Sequence, residues 1–255
     1  MIALVGNRSR DLLPGIPPRV GGGPYHGARA LHRLRVPARV VARCAAADRD
    51  ALAGPLVRLG TPVRFVASQT TAAFRIEYDG DSRRMYVDAI AEPWRPDELP
   101  ALPDAVRWVH VAPLARSDFP PETLAALARR RRLSLDGQGL VRVPREGPLE
   151  LDSDYDPELL RHVSVLKLAD DEAAVIGDPA ALPVREVVVT SGSRGATVFT
   201  RGRSEFVPAR GLDTDPTGAG DAFCAAYVVS RNAGFPPAAA ARRATAVVAA
   251  VLSAR

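Results

Sequence analysis

The sequence predicts an α/β fold: a mostly parallel central sheet with helices on both faces and a small β lid. Three observations lead there. Short apolar, β-rich runs alternate with helix-period segments along the 255 residues. The strand-like runs are near-continuously apolar, the pattern of strands buried on both faces. Residues 70–90 alone break the alternation, with period-two patterning on either side of an Asp-Gly turn signal.

In chain order, the first strand is expected at Ile2–Gly6 (IALVG) and a helix at Tyr25–Leu34. Strands follow at Ala38–Cys44 (ARVVARC) and Pro62–Ala67 (PVRFVA), with a helix over Asp48–Leu59 between them. The segment Thr70–Ile90 reads as a hairpin with Asp79-Gly80 in its turn. A hairpin alone is only marginally stable, so it must cover something or pair with another molecule. Strands at Val106–Ala112, Arg132–Asp136, Val163–Leu168 and Glu186–Gly192 alternate with helices at Pro121–Arg131 and Asp170–Gly177. Two helices in succession, Gly218–Asn232 and Pro236–Ala254, end the chain. There is no internal repeat or low-complexity tract, so one domain is expected over 1–255, with the 70–90 hairpin as a lid within it. In such sheets ligands bind at the C-terminal ends of the strands.

Composition narrows the function classes. With 47% hydrophobic and 25% charged residues the chain has an ordinary globular balance, and no apolar run approaches the roughly 20 residues of a membrane span. The start, MIALVGNRSR, is too short in its apolar part for a signal peptide, so a cytoplasmic location and no membrane partner are expected. Cys44 and Cys224 lie in apolar settings without metal-ligand spacing and are expected to be reduced, packed thiols. The formal charge of +5 is spread along the chain and carried almost wholly by arginine; Lys167 is the single lysine. The densest cluster, Ala128–Leu133 (ARRRRL), reads as the solvated end of a helix. It lacks interleaved aromatics, so no nucleic-acid partner is expected.

The stretch LDTDPTGAGDAFCAAYV, Leu212–Val228, carries the chemistry. Gly218 and Gly220 can bring backbone amides close to a ligand, and Asp221 falls in the first turn of the following helix. Free N–H groups and the helix dipole make that terminus a site for phosphate. A carboxylate beside phosphate makes sense if it accepts a proton from a hydroxyl that attacks the phosphoryl group. The competing explanation is structural: a capped helix whose first-turn acid complements the dipole. Further upstream, SLDGQGLVR (Ser134–Arg142) sets Asp136, Gln138 and Arg142 near strand ends, where Arg142 either pairs with phosphate or makes a surface salt bridge.

DPTGAGDAF, Asp215–Phe223, resembles the C-terminal signature of the ribokinase-like (PfkB) carbohydrate kinases, and four further segments resemble that family in order. The resemblance implies that Asp221 is the catalytic base and that Gly218, Ala219 and Gly220 form an anion hole. VGNRSRD (Val5–Asp11) resembles the substrate-binding turn, with Asp11 accepting hydrogen bonds from sugar hydroxyls. GGGPYHGARALHRL (Gly21–Leu34) resembles the double-glycine signature, which assigns Gly21, Gly22, Gly23 and His26 to substrate. KLADDEA (Lys167–Ala173) resembles the segment whose glutamate, here Glu172, positions Mg2+ through water. VTSGSRGATVF (Val189–Phe199) is similar to the nucleotide-binding strand and turn, which assigns Thr190, Gly192, Ser193 and Gly195, with Lys167, to ATP. The resemblance also implies a monovalent cation such as K+, with Asp215 helping to hold it.

Two positions depart from the family pattern: His26 and Ala169 each stand where asparagine is usual. His26 bears on sugar identity and also has a structural explanation as a hydrogen-bonding residue of a helix's first turn; Ala169 bears on the metal. The D-x-Q-G-x-x-R form of Asp136–Arg142, with GGGPYHGARAL and VHVAPL (Val109–Leu114), resembles the short inositol-kinase-like branch, which assigns Arg142 to substrate. Only nine residues separate Asp11 from Gly21, so the hairpin must supply most of the lid. The expected function is ATP-dependent phosphorylation of one hydroxyl of a small sugar, polyol or cyclitol, with myo-inositol a candidate. A nucleoside kinase of the same family is one rival, opposed by an aromatic content of 5%. A non-catalytic sensor on the kinase fold is the other; the sequence leaves the oligomeric state open, and pairing of two lids into a homodimer would bury two exposed strand edges at once.

Overall fold

The structure is a computed structural model and describes residues 1–79, 82–210 and 216–253. The Gly80 half of the expected turn and Asp215 lie outside the described residues. The chain begins with β1 (Ile2–Asn7), β2 (Ser9–Leu12) and β3 (Arg19–Gly21), then α1 (Gly23–Arg33), β4 (Ala38–Ala45), α2 (Arg49–Arg58) and β5 (Val63–Ser68). Next come the hairpin strands β6 (Ala72–Asp79) and β7 (Ser82–Ala89), then β8 (Trp108–Ala112), α3 (Pro121–Ala128), β9 (Arg132–Asp136), α4 (Gln138–Val141) and β10 (Gly147–Pro148). The last third holds β11 (Val165–Ala169), α5 (Asp170–Ile176), β12 (Glu186–Thr190), β13 (Gly195–Thr200), β14 (Arg203–Pro208), α6 (Ala219–Asn232) and α7 (Pro237–Leu252).

The described residues form a nine-stranded sheet in the order β14-β13-β12-β11-β9-β8-β1-β4-β5. It is parallel from β12 to β5 and closes with the antiparallel pair β13 and β14. Its strands are apolar throughout because both faces are covered. Ile2 and Leu4 of β1 pack into a core shared with α1, α6 and α7, whereas Ala3 and Val5 point into the opposite core with Leu124 and Leu127 of α3. At the base of the first core, Glu186 accepts from Tyr227 Oη at 3.0 Å and from Arg231 Nε at 2.8 Å, fastening α6 to the start of β12. Arg43, buried on the second face, donates to the carbonyls of Glu92 (2.9 Å) and Pro93 (2.8 Å) and lies 4.4 Å from the Trp94 ring centre. Among the described residues no helix is long and apolar enough to cross a membrane.

The hairpin does not stand alone. β6 and β7 are the centre of a second sheet ordered β10-β7-β6-β2-β3, in which β2 pairs with the first half of β6 (Ala72–Arg75) and β10 with Tyr86 and Val87 of β7. The sheet's inner side presents Ala72, Phe74 and Val87 against Leu114. Its outer side is polar: Arg75 pairs with Glu77 and with Asp88 (3.5 Å) and covers the Tyr86 ring. The additional strands have two to four residues, too short for periodicity to reveal. Elsewhere α3 ends at Ala128, three residues before the expected Arg131, because Arg130 takes a left-handed φ of 61°.

Glu186 is 4% exposed, and removing its carboxylate strands the Arg231 guanidinium and the Tyr227 hydroxyl inside. Glu186→Ala is expected to cost about 3 kcal/mol, read as a fall in the urea midpoint with an unchanged slope.

Candidate active site

The motifs singled out in the sequence meet at the C-terminal ends of the parallel strands. Asp11, Gly22, His26, Arg142, Lys167, Glu172, Thr190, Gly192, Gly218, Gly220 and Asp221 all line one cleft of about 550 Å3 beneath the second sheet. The lid side of that cleft is Phe74, Ile76 and Met85. Ser193, Gly195 and Ala219 line an adjoining apolar cleft of about 170 Å3, continuous with the first through Thr190, Gly192 and Gly220. Gly21 and Gly23 sit behind the wall: Gly21 packs on Asp11 and Ser9, and Gly23 on Asp221. Asp215, expected to help hold a monovalent cation, lies outside the described residues.

Asp221 is presented by the start of α6. Gly218 caps the helix with φ 76°, a left-handed turn in which a side chain would collide with the His26 ring. At Gly23 a Cβ would lie 2.6 Å from Asp221 Oδ1, so the double-glycine turn makes room for the acid. Of the expected anion-hole residues Gly218, Ala219 and Gly220, one has its amide engaged within the turn. The Ala219 N–H donates to Pro216 O at 2.9 Å and is used within the turn, while the Gly220 and Asp221 amides have no acceptor inside the helix. The first turn therefore offers two donors and the positive end of the dipole beside the carboxylate.

Below the cleft floor lies a buried charge cluster. Lys167 Nζ is 3.5 Å from Asp136 Oδ2 and 3.9 Å from Glu172 Oε2, all three side chains being buried. Burial alone would lower the Lys167 ammonium, but the two carboxylates outweigh it and hold it above its ordinary value. Asp221 is sunk at the bottom of the cleft. Loss of water raises its carboxyl to about 7, with Asp136 adding to the rise and Lys167 and Arg142 opposing it. Cys224, expected in an apolar setting, instead has its thiol 3.8 Å from Asp136 Oδ2, and burial followed by that carboxylate pushes it well up. It is a reduced, inert thiol, as is buried Cys44. His110, beneath the cluster with Nδ1 3.3 Å from Ser134 Oγ, is drawn down to about 4 by burial and stays neutral.

Glu172 caps α5 by accepting the Ala169 N–H at 2.7 Å through Oε2, and Asp171 lines the cleft beside it. Among the described residues no three potential ligands gather into an all-protein metal cage. The donor set suits a magnesium ion that keeps its waters and rides on substrate phosphates, since such an ion needs only one or two protein carboxylates. Arg142, near the lid, has its guanidinium 5.7 Å from the Phe74 ring centre. The sequence did not point to the far wall of the apolar cleft, made by Phe223 of α6 with Thr245, Val248, Ala249 and Leu252 of α7. The spacing of 245, 248, 249 and 252 on one helical face was the available signal.

The chain is similar to known kinases in sequence and in structure. Inositol 3-kinase from Zea mays is 31% identical over 113 residues, 42% of this chain and 30% of the relative. Inositol 3-kinase from Oryza sativa subsp. japonica is 32% identical over 117 residues with the same coverage, so the match spans about a third of either relative. Among solved structures, a pyrophosphate-dependent kinase in the ribokinase family, complexed with a pyrophosphate analog and myo-inositol, superposes with a TM-score of 0.85 at 25% identity. That likeness covers 99% of this chain and 95% of the other. The pfkB family carbohydrate kinase model matches residues 20–255, from inside β3 through both clefts to the C-terminus, and the chain therefore belongs to the pfkB family of carbohydrate kinases.

Proposed function

We propose that the protein transfers the γ-phosphoryl group of ATP to one hydroxyl of a small polyol of the cyclitol or sugar class. The observation that carries this is the placing of the Asp221 carboxylate beside the unused first-turn amides of α6, in a cleft shared with Asp11 and His26. An acceptor hydroxyl held by Asp11 would approach Asp221, which takes its proton as the new O–P bond forms and the bond to the β-phosphate oxygen breaks. The Gly220 and Asp221 amides, with Lys167 under Gly220, would steady the charge on the transferred group. Glu172 and Asp171 would hold magnesium through water, and the ion supplies neutralisation of the donor phosphates. The second sheet, with Phe74, Ile76 and Met85 facing the cleft, acts as the lid that keeps competing water out. The likeness to inositol kinases supports a cyclitol as acceptor.

The apolar cleft supports a nucleotide as donor. Phe223, Val248, Ala249 and Leu252 form an apolar slot that suits a purine, while Arg210 on the same cleft can meet a phosphate of either donor. A second reading, pyrophosphate as donor, is favoured by the pyrophosphate-dependent structure described above. Ala249→Phe, which fills the slot, separates the two. It is expected to raise KM for ATP tenfold or more, whereas turnover driven by pyrophosphate and indifferent to this substitution would reassign the donor.

ADP release across inositols, pentoses, hexoses and nucleosides is expected to show one preferred acceptor, with Asp221→Asn lowering kcat by roughly 10²–10⁴. ATP binding without turnover of any acceptor would favour a sensor instead. The acid limb of kcat/KM should fall with an apparent pKa near the value of about 7 held by Asp221, since the base acts only when ionised. Lys167→Met removes the neighbouring cation and should move that limb to higher pH; Asp136→Asn removes a neighbouring anion and should move it to lower pH.

A further inference from the structure

The turn between β12 and β13 divides its residues between two sides. Thr190, Gly192, Ser193 and Gly195 line the clefts described above, whereas Ser191 and Arg194 line neither. Those two reach a residue that the mechanism leaves unused, Asp170, the first residue of α5. Asp170 Oδ1 accepts from Ser191 Oγ at 2.7 Å, and its Oδ2 accepts from Arg194 Nη2 at 2.5 Å.

The base of the turn is held in other ways. The Thr190 hydroxyl donates to Leu168 O at 3.1 Å, and the Ser191 N–H donates to Gly195 O at 2.8 Å. On the β14 side the Ala209 N–H donates to Arg194 O at 3.1 Å, and Gly195 passes so close to Val207 O that a Cβ there would lie 2.1 Å from it. The tip has no such packing. Gly192 takes a left-handed φ of 53°, and a Cβ built on it would meet nothing within 4 Å. A glycine in open space leaves the backbone its widest freedom, so what fixes the tip must come from the residues flanking it. On the α5 side both flanks end on one carboxylate. That carboxylate stands on a closed first turn, in which Glu172 Oε2 accepts the Ala169 N–H at 2.7 Å.

We propose that Asp170 is a positioning residue for the phosphoryl donor: by holding Ser191 and Arg194 together it keeps the Gly192-Ser193 tip in the shape that receives the donor, without touching the donor itself. The proposal rests on the reading of these clefts as a kinase's donor site. An ion pair as exposed as Asp170 with Arg194 adds little to the stability of the folded chain. Its effect lies in order: a turn already fixed in its bound shape has less freedom to lose when the ligand arrives. The same contact turns the Arg194 guanidinium away from the clefts, so Asp170 and Arg194 act as one unit.

Calorimetric titration of the full-length protein with ATP and magnesium, and separately with pyrophosphate and magnesium, tests this without requiring turnover. Asp170→Ala is expected to weaken binding of whichever donor the wild type binds by roughly three- to tenfold, with a matching rise in its KM. The kcat at saturating donor, the KM of the acceptor and the melting temperature should stay near their wild-type values. Asp170→Asn keeps an acceptor for Ser191 and loses the one for Arg194, so it should fall between the two. Arg194→Gln should weaken donor binding by itself and add less than about twofold on the Asp170→Ala background. Unchanged donor binding in Asp170→Ala overturns the proposal. So do equal losses of kcat and acceptor binding with a lowered melting temperature, which mark a general structural role. Additive losses from Asp170→Ala and Arg194→Gln overturn it as well, since Arg194 would then meet the donor directly. The kinase reading fails by a different result: a wild type that binds neither ATP nor pyrophosphate, which removes the donor site and this inference with it.

Discussion

The cleft depends on sheet register between β9 and β11. Lys167 and Asp136 are direct neighbours across that parallel pair, so a slip of one residue would turn the ammonium to the opposite face and leave three acids facing one another. With the register kept, one buried cation sits among Asp136, Glu172 and Asp221, and it opposes the rise that burial imposes on the Glu172 and Asp221 carboxyls. A charge pair at about 4 Å is worth roughly 4 kcal/mol at an effective dielectric near 20, comparable with a catalytic pKa displacement of two to three units. The surrounding elements preserve this balance. The Gly137 N–H donates to Lys167 O at 2.7 Å, and α5 starts where Glu172 can cap it.

The two sheets are built into each other as well as stacked. β1 of the large sheet continues into β2 of the small one, and β3 of the small sheet runs through Gly22 into α1. Both crossings happen at one end of the cleft, which is why Asp11 and His26 come together there. The first-turn acid of α6 then fits into space left by Gly23, so segments from opposite ends of the chain share one boundary. A methyl group at that point would move the acid.

What could be read from the residues, and what could not, divides by the range of the signal. The parallel strands and the helices announced themselves because each carries its own apolar period, and β1, β4 and β9 fall within a residue of their expected ends. Glycine-rich turns next to acids signalled the floor of the cleft for the same reason: Gly218 and Asp221 are three residues apart. The small sheet was only half visible, since β2, β3 and β10 gain strand character from β6 and β7 and not from their own composition. Cys224 looked apolar because its helix is apolar; that it faces Asp136 is a fact of tertiary packing. The occupied Ala219 amide follows from the Pro216 turn, a detail of backbone geometry that no residue type discloses.

The chain carries its positive charge almost entirely on arginine, and this has a practical corollary. Lys167 is the only side-chain amine, and it is 5% exposed and held protonated by its acids. An acylating reagent therefore finds no side-chain amine on the outside of the folded protein. Covalent capture at this one residue must go through the cleft that it lines and requires loss of its proton, so its rate reports access to the cleft floor. Any compound that fills the cleft should slow the capture, which makes the lysine a site-specific occupancy gauge.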